Sequence, residues 1–131
     1  MEESIINEIS SLTLAYIGDA VFELEIRNYY LQHGSKRIDK INKRVVSTVN
    51  AKNQSLLVDK ILPHLSETEE GVYRRGRNSK AMTSAKHTTI SEYKRATGLE
   101  ALFGFLYLCG YQERIKELIE ICFDGEAVEE A

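Results

Sequence analysis

The stretch LAYIGDAVFELEIRNYYL, residues Leu14 to Leu31, is a long apolar segment that contains a carboxylate at Asp19. Its apolar residues fall on nearly every side of a helix, and the spacing predicts a central helix over residues 12–33, ended by Gly34. An ionised carboxylate is costly to remove from water unless a cation or hydrogen-bond donors compensate for the lost hydration. Asp19 therefore needs a partner.

The segment GLEALFGFLYLCGY, residues Gly98 to Tyr111, shows the same anomaly, because Glu100 is its only charged residue. Gly18, next to Asp19, and Gly104, one turn after Glu100, would let two helix backbones approach closely where the carboxylates meet. Two buried carboxylates repel each other, so either one takes up a proton or a cation lies between them. Hard oxygen ligands with no nearby His or Cys pair favour Mg²⁺ or Mn²⁺.

A purely structural role for the two carboxylates is the alternative. Asp19 would then bond a helix terminus, and Glu100 would pair with an arginine such as Arg95. Such ion pairs are common in proteins and also perturb pKa values.

The remaining pattern predicts an all-α fold, since apolar residues recur at three- and four-residue spacing and no alternating strand pattern is present. Pro63 and a capping box formed by Ser66 and Glu69 set two of the boundaries. The predicted helices are residues 38–50, 53–62, a segment beginning at Ser66, 91–109 and 112–123, with a loop over residues 76–89.

The length and composition indicate one domain, with 131 residues and 43% apolar residues. We assign residues 1–123 to it and expect the acidic tail over residues 124–131 to be disordered. Cys109 and Cys122 lack metal-ligand spacing, and the N-terminus lacks a basic region followed by an apolar run, which predicts a reduced, cytoplasmic protein. No apolar run approaches the roughly 20 residues that cross a bilayer.

The net charge of −3 conceals a basic window over residues 74–95, whose seven cations and single anion give +6 and leave −9 for the other residues. Guanidinium groups and small polar side chains match phosphate and ribose oxygens. The predicted RNA-binding residues are Arg74, Arg75, Arg77, Asn78, Lys80, Lys86 and Arg95.

Few aromatic residues lie near this basic window, so recognition of a duplex by shape fits better than stacking on single strands. A solvated loop is the alternative. A second basic cluster, residues 36–44, is interpreted as the outer face of its helix.

The two carboxylate motifs, LAYIGDAVFE and later TGLEALFGFLYL, resemble the ribonuclease III catalytic domain. Its signature helix reads roughly ERLEFLGDAVL, and its later helix reads D-x-x-E-A-L-x-G. The resemblance covers most of residues 8–122. The sequence resembles the short branch of the family, Mini-ribonuclease III, because it contains the RGRNSK loop and shows no double-stranded RNA-binding domain.

The resemblance implies that Asp19 and Glu100 are catalytic and bind Mg²⁺. Two further carboxylates of the full-length enzymes are replaced, by Ala15 in the signature helix and Thr97 in the late helix. The family also implies a helical homodimer in which the signature helices meet, with Tyr16 at the contact.

The expected function is therefore Mg²⁺-dependent endonucleolytic cleavage of double-stranded RNA, leaving 5′-phosphate and 3′-hydroxyl ends. By resemblance, the substrate is the large-subunit (23S) ribosomal RNA precursor, and a ribosomal protein is a conceivable accessory partner. Two alternatives stay open: a non-catalytic RNA-binding or ribosome-associated protein on the same fold, and a helical dimerisation module whose basic loop binds an acidic protein.

Overall fold

The computed structural model describes residues 1–79 and 89–124, and all regular secondary structure within them is helical. This confirms the all-α prediction. The helices are α1 (Glu3–Ile6), α2 (Ser11–Gln32), α3 (Ile38–Thr48), α4 (Ala51–Ile61), a short 3₁₀ helix (Leu62–His64), α5 (Glu67–Arg77), α6 (Ile90–Cys109) and α7 (Gln112–Cys122). The disordered tail predicted over residues 124–131 lies outside the described residues, apart from Asp124.

Local signals in the sequence explain most helix boundaries. The Ser66 and Glu69 capping box is present at the start of α5, and Gly110 closes α6 at φ 80°, where a left-handed residue satisfies the last carbonyls. Helix α2 ends with His33 as its C-cap. The sequence analysis missed α1 and the 3₁₀ helix, because one turn is too short to show periodicity.

Helix α6 is the centre of the fold, and α2, α4, α5 and α7 pack around it. Ten of its residues are buried, against six of the longer α2. The prediction that α2 is the central helix is therefore wrong. Leu12, Tyr16, Leu24 and Leu31 of α2 face outward, because a single chain supplies neighbours for only one side of this helix. In the described part of the chain, no helix is long and apolar enough to span a membrane.

Glycines set two close helix crossings on α6. A Cβ on Gly18 of α2 would overlap the carbonyl oxygen of Glu100, and a Cβ on Gly104 would overlap the carbonyl oxygen of Leu14. The close approach predicted for Gly18 and Gly104 is therefore present. On another side of α6, a Cβ on Gly98 would lie 2.7 Å from the carbonyl oxygen of Tyr73 in α5.

A largely buried ion pair joins α5 to α7. The Nε and one terminal nitrogen of Arg114 donate to the two carboxylate oxygens of Glu69 at 2.8 and 2.9 Å. The same terminal nitrogen donates to the carbonyl oxygen of His64 at 2.7 Å. Burial raises the pKa of Glu69, but the hydrogen bonds from Arg114 and Ser66 outweigh that effect and lower the pKa below its ordinary value.

Candidate active site

Asp19 and Glu100 come together at the crossing of α2 and α6, although 81 positions separate them in the chain. Gly18 allows the two helices to cross closely. Asp19, the next residue, therefore lies beside the start of the apolar segment of α6. Asp19 is exposed and Glu100 is half-buried. The expectation of a buried Asp19 is therefore wrong, because the outer edge of α2 leaves this carboxylate open to solvent.

Burial is the largest cause that raises the pKa of Glu100, to about 8. The hydrogen bond with Asp19 and the negative charge of Asp19 raise the pKa further. Without a cation, this raised pKa favours a Glu100 carboxyl that keeps its proton and donates to Asp19. This is one of the two outcomes expected when carboxylates meet.

Gln54 is a third member of this site, and the sequence analysis missed it. Its side chain hydrogen-bonds Glu100 from the first turn of α4 and lowers the pKa of that carboxyl, opposing the effect of burial. Gln54 lies on the same buried face of α4 as Val58 and Ile61. A polar residue in an apolar helical stripe was the signal that would have identified it.

Arg95 does not pair with Glu100, so this form of the structural alternative is wrong. Its guanidinium instead forms an ion pair with Asp59 of α4 and a hydrogen bond with Tyr73 of α5. These contacts link α4, α5 and α6 at a position removed from the carboxylate pair. The pairing depends on how three helices meet and is not encoded in local spacing.

The two positions where full-length enzymes carry further carboxylates contribute no acid here. Ala15 is part of the hydrophobic core. Thr97 is buried, and its hydroxyl donates to the carbonyl oxygen of Tyr93, one turn earlier in α6, at 3.0 Å. Its hydroxyl is thus bonded within its own helix.

The donor set of the site suits a hard divalent cation. Mg²⁺ commonly contacts one or two carboxylates and keeps several waters, so two converging carboxylates are sufficient. A cation at this place would compete with a proton for the Glu100 carboxylate, because both neutralise its charge. Within residues 1–79 and 89–124, no group of three or more His, Cys, Asp and Glu side chains is placed to hold a metal.

Three of the predicted RNA-binding residues line one surface groove of about 540 Å³, namely Arg77, Asn78 and Arg95. Lys94 also lines this groove. It belongs to the basic window but was not among the predicted RNA-binding residues. The Arg77 guanidinium lies 5.8 Å from the centre of the Tyr73 ring, which forms part of the floor. The result is a cationic groove at the junction of α5 and α6.

The other predicted RNA-binding residues do not line this groove. Arg74 pairs with Glu70 at 3.7 Å, and Arg75 borders a smaller cavity with Leu14 and Val72. Lys80 and Lys86 lie outside the described residues.

The cationic groove and the carboxylate pair occupy different sides of α6. Gly98, which contacts α5, lies roughly 160° around the helix from Glu100, since successive residues rotate by about 100°. Arg77 and Asp19 therefore lie on different sides of this helix.

The predicted dimer residue Tyr16 is 79% exposed. Leu12, about one turn before Tyr16, and Leu24, about two turns after it, are further exposed apolar side chains of α2. An outward row of large apolar side chains on one helix is typical of a protein interface.

Comparisons with known proteins identify the family and the fold. The profile of the Ribonuclease III domain matches residues 12–111. A Mini-ribonuclease 3-like protein of Fusobacterium nucleatum is 46% identical over 121 residues, which cover 92% of this chain and 93% of the relative. Mini-ribonuclease 3 of Clostridium tetani is 39% identical, with 88% and 78% covered. A crystal structure of a Fusobacterium nucleatum protein superposes with a TM-score of 0.79 at 45% identity, covering 92% of this chain and 97% of the other.

Proposed function

The chain belongs to the ribonuclease III family of endoribonucleases, and we propose that it cleaves double-stranded RNA with Mg²⁺ held by Asp19 and Glu100. The observation that carries the proposal is the meeting of these two carboxylates at the α2–α6 crossing. Mn²⁺ is an alternative cation with the same oxygen preference.

The protein side chains supply the negative charge and the geometry of this site. Asp19 is open to solvent and would face an incoming phosphodiester, while Gln54 hydrogen-bonds Glu100. The bound Mg²⁺ would lower the pKa of a water and neutralise charge on the phosphate. The products of such hydrolysis in the family are 5′-phosphate and 3′-hydroxyl ends.

The cationic groove supports RNA binding away from the cleavage point. Arg77 and Lys94 present positive charge, Arg95 lines the same groove while paired with Asp59, and Asn78 adds a polar side chain suited to a ribose hydroxyl. A-form RNA exposes phosphates and 2′-hydroxyl groups across a wide minor groove, which allows recognition by shape.

A homodimer is the assembly we propose, with Tyr16 at the contact. The exposed apolar row Leu12, Tyr16 and Leu24 would then be covered by the same row of a second copy. Two copies supply two carboxylate pairs, so that each protomer cuts one strand of a duplex.

The cellular substrate we propose is the 23S ribosomal RNA precursor, whose paired ends form a duplex, and the site of action is the cytoplasm. The family relationship supports the substrate. The free thiols of Cys109 and Cys122 fit a reducing compartment.

The direct test compares wild type with Asp19→Asn and Glu100→Gln on long duplex RNA, with Mg²⁺ and with EDTA. The cleavage rate of each variant should fall by more than about 100-fold. Loss of a residue that only supports a metal ligand typically lowers activity by less than this. Glu113→Gln, at an exposed position of α7, is the matched control for loss of one negative charge and should cleave normally. Undiminished cleavage by Asp19→Asn would remove the proposed role.

A non-catalytic RNA-binding protein on the same fold is the second candidate. It is favoured by Ala15 and Thr97, which leave two carboxylates where full-length enzymes have four. Duplex binding by wild type without Mg²⁺-dependent cleavage would select this candidate.

A further inference from the structure

Gln54 is a buried polar residue whose place in the fold is not explained by packing. It is 5% exposed and lies on the face of α4 that packs against α6. The Gln54 side chain reaches Glu100, where it lowers the pKa of the carboxyl. The amide therefore lies beside one carboxylate of the pair.

An apolar residue at position 54 would suit the fold at least as well. The neighbours of Gln54 on this face are Val58 and Ile61, both fully buried. Removing an amide from water costs free energy that a hydrogen bond only partly recovers, whereas an unbranched apolar side chain of similar size would stabilise the core. A glutamine here therefore suggests a requirement other than stability.

We propose that Gln54 is a positioning residue of the cation site, whose amide donates to the Glu100 carboxylate and holds it facing Asp19. This inference rests on the proposed function, because it assumes that Glu100 binds the cation. Gln54 itself acts through Glu100 and does not touch the RNA.

The physical reason is the freedom of the glutamate side chain. Glu100 has three side-chain torsions, and ordering such a side chain costs conformational entropy when no contact fixes it beforehand. The contact with Gln54 fixes it before the cation arrives. Carboxylates that bind metals are generally hydrogen-bonded in this way, and loss of the supporting partner typically weakens metal binding by about 10–100-fold.

Few other groups share this task. Ala15 has no polar side chain, and the Thr97 hydroxyl is bonded to Tyr93. Asp19 is itself a proposed cation ligand, and it is exposed. Among the described residues, Gln54 is thus the neutral side chain that hydrogen-bonds Glu100.

The test measures Mn²⁺ binding by the full chain without RNA, using Gln54→Met and Gln54→Glu. Gln54→Met keeps the size and removes the amide, so the Mn²⁺ dissociation constant should rise by about 10-fold or more while metal-free thermal stability is kept or raised. In cleavage assays its kcat at low Mn²⁺ should fall with KM for RNA unchanged, and high Mn²⁺ should restore it.

Gln54→Glu places a third carboxylate beside the pair. Its melting temperature in EDTA should fall below that of wild type through like-charge repulsion, and Mn²⁺ should raise it by more than it raises that of wild type. Asn53→Ala is the matched control, since this neighbour donates to the Ser47 carbonyl rather than to Glu100. It should bind Mn²⁺ as wild type does.

Wild-type Mn²⁺ affinity in Gln54→Met, or no additional stabilisation of Gln54→Glu by Mn²⁺, would overturn the inference. If Asp19→Asn and Glu100→Gln still lose Mn²⁺ binding and cleavage, the proposed function stands and only the role of Gln54 is rejected. If wild type itself neither binds Mn²⁺ nor cleaves duplex RNA, the proposed function fails first.

Discussion

Gly18 lies against Glu100 so closely that a Cβ at position 18 would overlap the Glu100 carbonyl oxygen. The contact is between backbones, and it brings the carboxylate of the next residue, Asp19, to the side chain of Glu100. The fold and the candidate active site thus depend on the same pair of residues. A change that separates the helices should damage both.

Gly18→Ala should destabilise the protein by about 3 kcal/mol or more, because the clash is with backbone that cannot rotate away. Gly71→Ala is the matched control, as its Cβ would meet only the flexible end of Arg75 at 3.1 Å. It should be neutral or stabilising by up to about 1 kcal/mol, since alanine favours a helix. Urea unfolding measures both, and equal effects would argue against the close crossing.

Glu69→Gln should lower the free energy of unfolding by about 3 kcal/mol at pH 7, because it breaks the ion pair with Arg114 and leaves the guanidinium poorly compensated. The pKa of Glu69 is lowered by folding, so its contribution is complete above the unfolded value of 4.5 and is lost as pH falls through the lower folded value. The difference between wild type and variant should therefore shrink towards pH 3.

Glu117→Gln tests the specificity of this effect. Glu117 also contacts Arg114, at 3.3 Å, but its side chain is 63% exposed. We expect a change below about 0.5 kcal/mol, as for most exposed ion pairs. A loss as large as that of Glu69→Gln would contradict the assignment.

The metal-free protein should lose stability as pH rises from about 5 to 8. Folding raises the pKa of Glu100 from 4.5 to about 8, so the folded state holds a proton that the unfolded state releases over this range. Glu100→Gln has no such proton, and its stability relative to wild type in EDTA should increase with pH. Mg²⁺ should stabilise wild type more at pH 8 than at pH 6. Parallel curves for the two proteins would refute this prediction.

Arg77→Ala should weaken binding to duplex RNA similarly for different sequences and lower the slope of log affinity against log salt by about 1, because one phosphate contact is lost. Filter binding at several salt concentrations measures the slope. Lys116→Ala on α7 removes an exposed cation outside the groove and is the control. An unchanged slope for Arg77→Ala would exclude the groove as a phosphate contact.

Tyr16→Asp should raise the dimer dissociation constant by more than about 30-fold, since a central aromatic contact carries about 2 kcal/mol or more of binding energy. Analytical ultracentrifugation gives the constant. Tyr107→Asp changes an aromatic residue of α6 that is 49% exposed, and should leave association unchanged. A monomeric wild type, or equal effects of both substitutions, would reject the proposed contact.

The sequence alone determined the all-α fold, most helix boundaries and the two carboxylates. These features depend on local information: apolar spacing, the Ser66 capping box, the left-handed Gly110, and charges that stand out in apolar segments such as Asp19.

Only the tertiary structure decided which side chains meet. It joined Gln54 to Glu100, Arg95 to Asp59, and Arg114 to Glu69, across 46, 36 and 45 positions of the chain. It also placed the cationic groove on a different side of α6 from the carboxylates. Such pairings depend on how packed helices rotate and cross. Close contacts such as that of Gly18 determine this geometry, and local sequence patterns do not encode it.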